Sequence, residues 1–279
     1  FYFNGENLFD NAKKRAQLVG YVPQGTPLIE ELTAKDNLRL WYDSAVMRKE
    51  LESGVLKMLG ITEFLNVTVD RMSGGMKKRL SIGCAMAKKP PILLLDEPFS
   101  SLDENLRYEM ARLVKRLHKQ MGLTTVMVTH DKSEAMKVSD KIALMQAGTV
   151  LQYDRPEVMF YHPLSKPVAD YMGQSNYIKG WVKDGWFKSG PVSFETDKKD
   201  GDYELMLRPS SIQLDKNGTY QYVIKEVLFE GETAEITLQG DKEDLLVWML
   251  HKDFAALGVK REEKVGVSVE GTQGTLFEV

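Results

Sequence analysis

The sequence predicts an α/β domain built on a parallel sheet, followed by a smaller all-β domain. Residues 92–95 form an uncharged branched run, typical of a strand buried on both faces as in a parallel sheet. A second apolar stretch, residues 124–129, follows a helical pattern that ends near Gly122. From about residue 176, short alternating stretches are separated by glycines, which favours an all-β barrel.

The front of the α/β domain contains a short strand, a helical stretch and a helix start. Gln24 follows the short apolar strand that begins at Gly20. Apolar residues at helical spacing fill residues 27–72 and predict a mostly helical insertion. Ser73 then reads as the N-cap of a helix, and the glycines after it would let an anion approach the free backbone N–H groups. By itself the tripeptide Ser73-Gly74-Gly75 is more often a simple turn than an anion site.

Charged side chains follow both central strands. Asp96 and Glu97 end the 92–95 run, and Pro98 turns the chain away from the sheet. His130 follows the 124–129 strand. Acidic residues are common in the loops that follow core strands, so the strand alone does not distinguish a ligand site from an ordinary loop. Since parallel strands of an α/β sheet present their carboxyl ends at one edge, we expect these three side chains to lie together at a ligand site.

These motifs, in this order, resemble those of ATP-binding-cassette (ABC) nucleotide-binding domains. The matching segments are the glutamine loop, signature sequence, second Walker motif, D-loop and switch histidine, here Gln24, Ser73-Gly74-Gly75, Asp96-Glu97, Ser101-Leu102-Asp103 and His130. The resemblance implies a P-loop NTPase-type ABC nucleotide-binding domain over residues 1–172, with a helical subdomain at about 27–72. It also implies a small all-β, oligonucleotide-binding-like (TOBE) domain over residues 173–279, because residues 207–212 resemble that domain's recurring segment.

The resemblance assigns a chemical role to each residue at the sheet edge. Asp96 is similar to the carboxylate that helps to hold Mg²⁺, a hard cation that prefers oxygen ligands. Glu97 resembles the general base that polarises the attacking water during ATP hydrolysis. Gln24 is similar to the amide that touches the metal or the water and senses the membrane subunit. His130 resembles the switch residue that contacts the γ-phosphate.

The remaining motifs imply a dimer. In the family, Ser73, Gly74 and Gly75 would contact the γ-phosphate of ATP held by a second copy, and Asp103 would lie at that interface. The resemblance thus implies a head-to-tail homodimer that works with transmembrane permease subunits and, indirectly, with an extracytoplasmic substrate-binding protein. Met76 departs from the pattern, since the signature usually has Gln there.

One motif of the family is missing from the printed chain. The glycine-rich phosphate loop, Gly-x-x-x-x-Gly-Lys-Ser/Thr, does not occur in it. Residues 1–8 look like the strand and turn that follow the phosphate-loop helix, so we expect a truncated N-terminus and little ATP binding by the chain as printed. The leading hypothesis is the ATP-hydrolysing subunit of an importer. The alternatives are a degenerate or regulatory subunit without ATPase activity, and an ABC protein of DNA repair or translation.

Composition limits the other classes of function. The chain has 37 basic and 40 acidic residues, a net charge of −3 and no basic stripe, which argues against nucleic acid as a partner. We expect the aromatic residues of the β domain to pack in its barrel, namely Trp181, Trp186, Phe187 and Trp248. No apolar run is long enough to span a membrane, so the resemblance implies peripheral attachment at the cytoplasmic face.

Two further expectations concern the basic run and the substrate. Lys77, Lys78 and Arg79 are predicted to form a solvated helix face rather than to steer phosphate. Cys84 is the only cysteine, so an internal disulfide is excluded. Within the importer family, a single short barrel favours ion and polyamine transporters over sugar transporters.

Overall fold

A computed structural model gives the structure of the protein. It describes residues 2–3, 6–7, 11–25, 27–190, 192–218, 220–269 and 274–279. The chain forms two compact units, Phe1–Val138 and Ser139–Val279. Compactness thus places residues 139–172 with the second unit, and the family-based boundary after residue 172 stays a prediction.

The first unit mixes short strands and helices. Its strands are β1 (Tyr2–Phe3), β2 (Glu6–Asn7), β3 (Val19–Val22), β4 (Ile92–Asp96) and β5 (Thr124–Val128). Its helices are α1 (Ala12–Leu18), α2 (Ala34–Arg39), α3 (Ser44–Ser53), α4 (Val55–Met58), α5 (Gly74–Ala85), α6 (Glu104–Met121) and α7 (Lys132–Val138). Short 3₁₀ turns at Ile61–Phe64 and Val69–Arg71 complete the predicted helical insertion. Of the predicted opening strand and turn, Phe1, Asn4, Gly5 and Leu8 lie outside the described residues.

Strands β3, β4 and β5 form the predicted parallel sheet, with β4 in the centre. Val22 pairs with Leu95, and Asp96 pairs with Val128. This register brings the carboxyl ends of all three strands to the same edge. The residues that follow each strand therefore gather there, as the sequence predicted.

The core of the first unit explains the helix limits. Leu93 and Leu95 of β4 are fully buried, and α6 buries Met110 and Leu117 against the same core. Helix α6 ends where predicted, because Gly122 adopts a left-handed φ of 63° that favours glycine.

The second unit is mostly antiparallel. Its strands are β6 (Ile142–Gln146), β7 (Thr149–Asp154), β8 (Asn176–Lys183), β9 (Trp186–Ser189), β10 (Val192–Glu195), β11 (Gly201–Leu207), β12 (Ile212–Asp215), β13 (Tyr220–Glu230), β14 (Thr233–Gln239), β15 (Leu245–Leu250), β16 (Lys264–Val269) and β17 (Thr275–Glu278). Its helices are α8 (Pro156–Tyr161), α9 (Lys166–Met172) and α10 (His251–Leu257). Strands β6 and β7 pair as a hairpin.

The last ten strands form two five-stranded sheets, ordered β10-β9-β8-β11-β17 and β12-β16-β13-β14-β15. Both sheets contribute to one apolar core, which includes Phe187 and Ile236. The all-β prediction missed helix α10, because Gly258 was interpreted as a break between strands. It is instead a left-handed residue that ends this helix, with φ of 60°.

The expectation that four aromatic residues pack inside the β domain is confirmed for one of them and wrong for three. Phe187 is fully buried as predicted, but Trp181, Trp186 and Trp248 are exposed on strand faces that point away from the core. Successive side chains of a strand point to opposite faces, and next to each tryptophan in sequence a buried apolar residue occupies the inner face. These three tryptophans are therefore not part of the packing of the β core.

Arg208 explains the recurring segment at residues 207–212. The side chain is 1% exposed, and its guanidinium lies 4.2 Å from the ring centroid of Phe160. It donates to the carbonyl of Phe160 at 2.7 and 2.9 Å, and to the carbonyls of Ala169 and Gly173 at 3.0 and 2.9 Å. Phe160 lies in the last turn of α8 and Gly173 is the C-cap of α9, so these bonds supply donors to main-chain carbonyls at both helix ends. One arginine thus fixes both helix ends.

Candidate active site at the sheet edge

The edge of the parallel sheet gathers the residues that the sequence singled out. Asp96 is the last residue of β4, and Glu97 follows it. His130 lies two residues beyond β5, and Gln24 lies two residues beyond β3. The structure therefore places the predicted acid, base and amide positions at the ends of adjacent strands.

Glu97 and His130 are in direct contact. The Nδ1 atom of His130 lies 2.7 Å from Oε1 of Glu97, and the same oxygen accepts the backbone N–H of His130 at 3.0 Å. The backbone of Glu97 has a left-handed φ of 43°, and its N–H donates to the carbonyl of Val128 at 2.9 Å. A non-glycine residue in this conformation is strained, which is typical of functional sites. The turn aims the carboxylate at the switch histidine.

The contact changes the pKa of His130. The hydrogen bond that the Glu97 carboxylate accepts, followed by its negative charge, raises the pKa of His130 above its usual value of 6.5. The imidazolium form is therefore favoured while Glu97 stays ionised. The side chain of His130 is 79% exposed and that of Glu97 is 17% exposed, so the histidine can swing away while the carboxylate stays in place.

Asp96 has a partner that the sequence did not indicate. The hydroxyl of Tyr21, on the adjacent strand β3, donates to Oδ2 of Asp96 at 3.2 Å. Burial, then the hydrogen bond to Asp96, raises the pKa of this tyrosine above its usual value. Tyr21 pairs with Leu94, which lies two residues before Asp96 on β4, so both side chains are on the same face of the sheet. Only the order of the strands in the sheet could reveal this contact. The tyrosine orients one carboxylate oxygen and leaves the other for a ligand.

An open cavity of about 580 Å³ adjoins this pair. Its lining is mainly apolar and consists of Ala12, Arg15, Ala16, Val19, Tyr21, Leu94, Asp96 and Val128. Its volume is within the range of small-molecule sites.

The signature residues stand at a helix N-terminus, as predicted. Ser73 is the N-cap of α5, and its Oγ accepts the backbone N–H of Met76 at 3.3 Å. Gly74 and Gly75 begin the helix, and Ser73 and Gly74 are exposed. Met76 packs partly against the core of the unit, so its apolar side chain has a structural role in place of the usual glutamine.

The two glycines also serve close packing. A Cβ atom on Gly75 would lie 2.8 Å from Cδ1 of Leu106, and one on Gly74 would lie 3.1 Å from Cδ2 of Leu102. Asp103 lies between these leucines and caps α6, because its Oδ1 accepts the N–H of Leu106 at 2.9 Å. The signature helix and the D-loop segment are thus packed against each other.

Arg107, one turn into α6, joins the D-loop segment to the switch loop. It donates to the carbonyl of Leu102 at 3.2 Å and lies 3.4 Å from carboxylate oxygens of both Asp131 and Glu134. Glu134 also accepts the hydroxyl of Thr129 at 2.8 Å. No pattern in the sequence indicated this network, because its members come from α6, the loop after β5 and α7.

The basic run after the signature is not uniformly solvated. Lys77 lies 3.6 Å from Glu30 and Arg79 lies 3.8 Å from Glu109, both on the surface. Lys78 is buried, which contradicts the prediction of a solvated face. Every third or fourth residue of α5 turns inward, and position 78 falls on the inner side with Gly75 and Ile82.

The donor set at the edge fits a hard cation that takes most of its ligands from elsewhere. Among the described residues no group of three or more His, Cys, Asp or Glu side chains could enclose a metal. One free carboxylate oxygen of Asp96 and the exposed amide of Gln24 are oxygen donors. Mg²⁺ is commonly held by one or two carboxylates together with water and substrate phosphates, so these residues fit Mg²⁺.

Comparison with known proteins agrees with this geometry. Residues 2–100 match the family model of the ABC transporter. Together with relatives that are more than 30% identical over most of this chain, the match shows that the chain belongs to the ABC transporter ATPases.

The relatives narrow the class further. A spermidine/putrescine import ATP-binding protein of Borreliella afzelii is 35% identical over 261 residues, which cover 88% of this chain and 74% of that protein. A sulfate/thiosulfate import ATP-binding protein of Escherichia coli is 32% identical, with 92% and 74% covered. A solved dimeric ATP-binding cassette bound to ADP and Pi is 32% identical over 55% of this chain and 68% of that one, with a TM-score of 0.45. The chain belongs to the ATP-binding subunits of ABC importers, which confirms the predicted ATP-hydrolysing importer subunit.

Proposed function

We propose that two copies of the gene product that contains this chain bind ATP between them, head to tail, and couple its hydrolysis to solute uptake through membrane permease subunits. The observation that carries the proposal is the contact of Glu97 with His130 at 2.7 Å, on the edge that also holds Asp96. A general base, a cationic group that can reach the γ-phosphate and a metal-binding carboxylate are among the parts that recur in sites of phosphoryl transfer.

Each residue at the edge has a step in this reaction. Asp96, held by Tyr21, would hold Mg²⁺ together with Gln24, and the metal would neutralise phosphate charge when bound. His130 would leave Glu97 and contact the γ-phosphate. The freed carboxylate of Glu97 would then accept a proton from the attacking water.

The signature helix would act on the second nucleotide. Ser73 keeps its hydroxyl proton while its oxygen caps the helix, so it can still donate to a phosphate oxygen. The backbone N–H groups of Gly74 and Gly75 belong to the first turn of α5, where intrahelical partners are lacking. Asp103 would meet the partner chain at the same interface.

The helical insertion offers a surface for the permease. Leu40, Trp41 and Ile29 are 60%, 58% and 46% exposed. An exposed tryptophan with aliphatic neighbours is typical of protein contact sites. None of the helices in the described ranges is long and apolar enough to cross a membrane.

The solute is proposed from the relatives. Proteins named for spermidine/putrescine, Fe³⁺ and sulfate/thiosulfate import are similar over most of this chain. We therefore place the transported solute among polyamines and inorganic ions, delivered by an extracytoplasmic binding protein.

ATPase turnover tests the chemistry. In the gene product that contains this chain, assembled with its permease in vesicles, Glu97→Gln should lower kcat by about 10²–10⁴-fold with little effect on ATP binding. Glu195→Gln, an exposed carboxylate of the second unit, is the charge-matched control. Unchanged turnover in Glu97→Gln would refute the proposal and would favour a regulatory subunit.

Mixing two inactive variants tests the arrangement. A protomer carrying Glu97→Gln and one carrying Ser73→Arg should recover activity together, because one composite site of the mixed dimer keeps both native residues. If each site lies within one chain, mixing restores nothing.

A further inference from the structure

Lys78 lies in the second turn of α5, the helix that Ser73 caps. Its ammonium is in the interior of the unit, with 2% of the residue exposed. It donates to the main-chain carbonyls of Gln24 at 3.2 Å and Pro23 at 3.4 Å. The glutamine loop is thus attached to the signature helix through one side chain.

This pairing is unusual for a lysine. Burial of an ammonium is costly, and a carboxylate in contact is the ordinary compensation. The described contacts of Lys78 are carbonyls, while its neighbours Lys77 and Arg79 have carboxylate partners on the surface. A well-packed apolar side chain would be at least as stable at this position. The cost therefore indicates a function for the loop contact.

The contact fixes the part of the loop that matters for chemistry. Pro23 has no backbone N–H, and the side chain of Gln24 is exposed. Lys78 therefore holds the loop through the two main-chain carbonyls. Gln24 follows strand β3, and β3 pairs with β4, which ends at Asp96, so the carbonyls that Lys78 contacts follow the same edge of the sheet.

We infer that Lys78 is a positioning residue that ties Gln24 to the signature helix, so that nucleotide bound at the N-terminus of α5 sets where the Gln24 amide stands beside Asp96. The inference rests on the proposed function, in which Gln24 and Asp96 serve the metal. The contact is a mechanical link between the nucleotide of one protomer and the metal of the other, since α5 acts on the partner's ATP.

The Mg²⁺ dependence of ATPase turnover tests this link in the complete gene product. Lys78→Met keeps the length and the apolar packing but removes the donors, and Lys78→Arg keeps donors. We expect Lys78→Met to raise the Mg²⁺ concentration for half-maximal turnover at least about fivefold, since hydrogen bonds from a charged group are strong. Its melting temperature should stay equal or rise, because a buried charge has been removed. Lys78→Arg should restore part of the Mg²⁺ affinity.

A double-mutant cycle separates positioning from simple packing. Gln24→Ala should raise the Mg²⁺ requirement as Lys78→Met does, and the double variant should resemble either single variant rather than their product. Lys77→Met, one residue away and paired on the surface, is the matched control and should resemble the native protein.

The outcomes distinguish this inference from the proposed function. If Gln24→Ala changes the Mg²⁺ dependence and Lys78→Met does not, or if their effects simply multiply, the role of Lys78 is refuted and that of Gln24 stands. If Gln24→Ala itself leaves the Mg²⁺ dependence unchanged, the metal role of Gln24 is refuted, and the link through Lys78 falls with it.

Discussion

Replacing Arg107 by methionine removes the cation that holds the switch loop to α6. Methionine retains most of the apolar stem but leaves Asp131 and Glu134 without the guanidinium that lies 3.4 Å from each. The side chain of Glu134 is 6% exposed, so its carboxylate would then be buried close to another negative group. A cost in folding stability must follow.

The size of this cost can be worked out from exposure. Breaking a buried ion pair costs about 3–5 kcal/mol, whereas an exposed pair is worth about 1 kcal/mol or less. The side chain of Arg107 is 36% exposed, and its contacts at 3.4 Å are longer than ideal hydrogen bonds. We therefore expect Arg107→Met to lower the free energy of unfolding by about 2 kcal/mol at pH 7, between these limits.

The loss should depend on pH with a definite sign. Burial raises the pKa of Glu134, and Arg107 opposes this rise. The folded state therefore binds the Glu134 proton more tightly than the unfolded state, and stability from this group increases as pH falls toward its folded pKa. Without Arg107 the pKa of Glu134 in the folded state rises further. Acidification should therefore raise the free energy of unfolding of the variant more than that of the native protein.

Urea unfolding followed by circular dichroism at pH 7 and at pH 5 measures this difference. The difference in free energy of unfolding between the native protein and Arg107→Met should be smaller at pH 5 than at pH 7. Arg112→Met is the control, since Arg112 lies on the same helix and only stacks on Tyr108 at 5.7 Å. A gap that is the same at both pH values, or no larger than that of the control, would show that Arg107 does not hold these carboxylates.

Three further changes follow from the structure. Gly75→Ala should lower the free energy of unfolding by about 1 kcal/mol in urea titrations, because overpacking against Leu106 outweighs the gain in helix propensity; a stabilised variant would contradict this packing. NMR titration should show the pKa of His130 above 6.5 in the native protein and closer to 6.5 in Glu97→Gln, and equal values would exclude the pairing. Arg208→Met should lower the free energy of unfolding of the second unit by about 1–3 kcal/mol, measured by calorimetry against the surface variant Lys188→Met, because the carbonyl of Phe160 loses both of its Arg208 donors; a loss no larger than that of Lys188→Met would show that Arg208 does not anchor these helix ends.

Much of the fold could be predicted because the local sequence patterns agree with the strands and helices of the folded chain. The leucine run of β4, the apolar stripe of α6 and the cap at Ser73 follow from strand burial, helical periodicity and capping, which act over a few residues. Helix α10 was missed for the same reason, since seven residues ended by Gly258 resemble a strand break as much as a helix end.

The order of the motifs along the chain was enough to predict an ABC ATPase, a family that the relatives confirm; these motifs are Gln24, Ser73-Gly74-Gly75, Asp96-Glu97, Ser101-Leu102-Asp103 and His130. The groups that support these residues were visible only in the folded chain. Tyr21, Lys78 and Arg107 reach their partners across strands and helices that are 75, 54 and 24 residues apart in the chain. Such contacts depend on sheet order, on the rotation of one helix and on the angle at which others pack, and no local pattern encodes these.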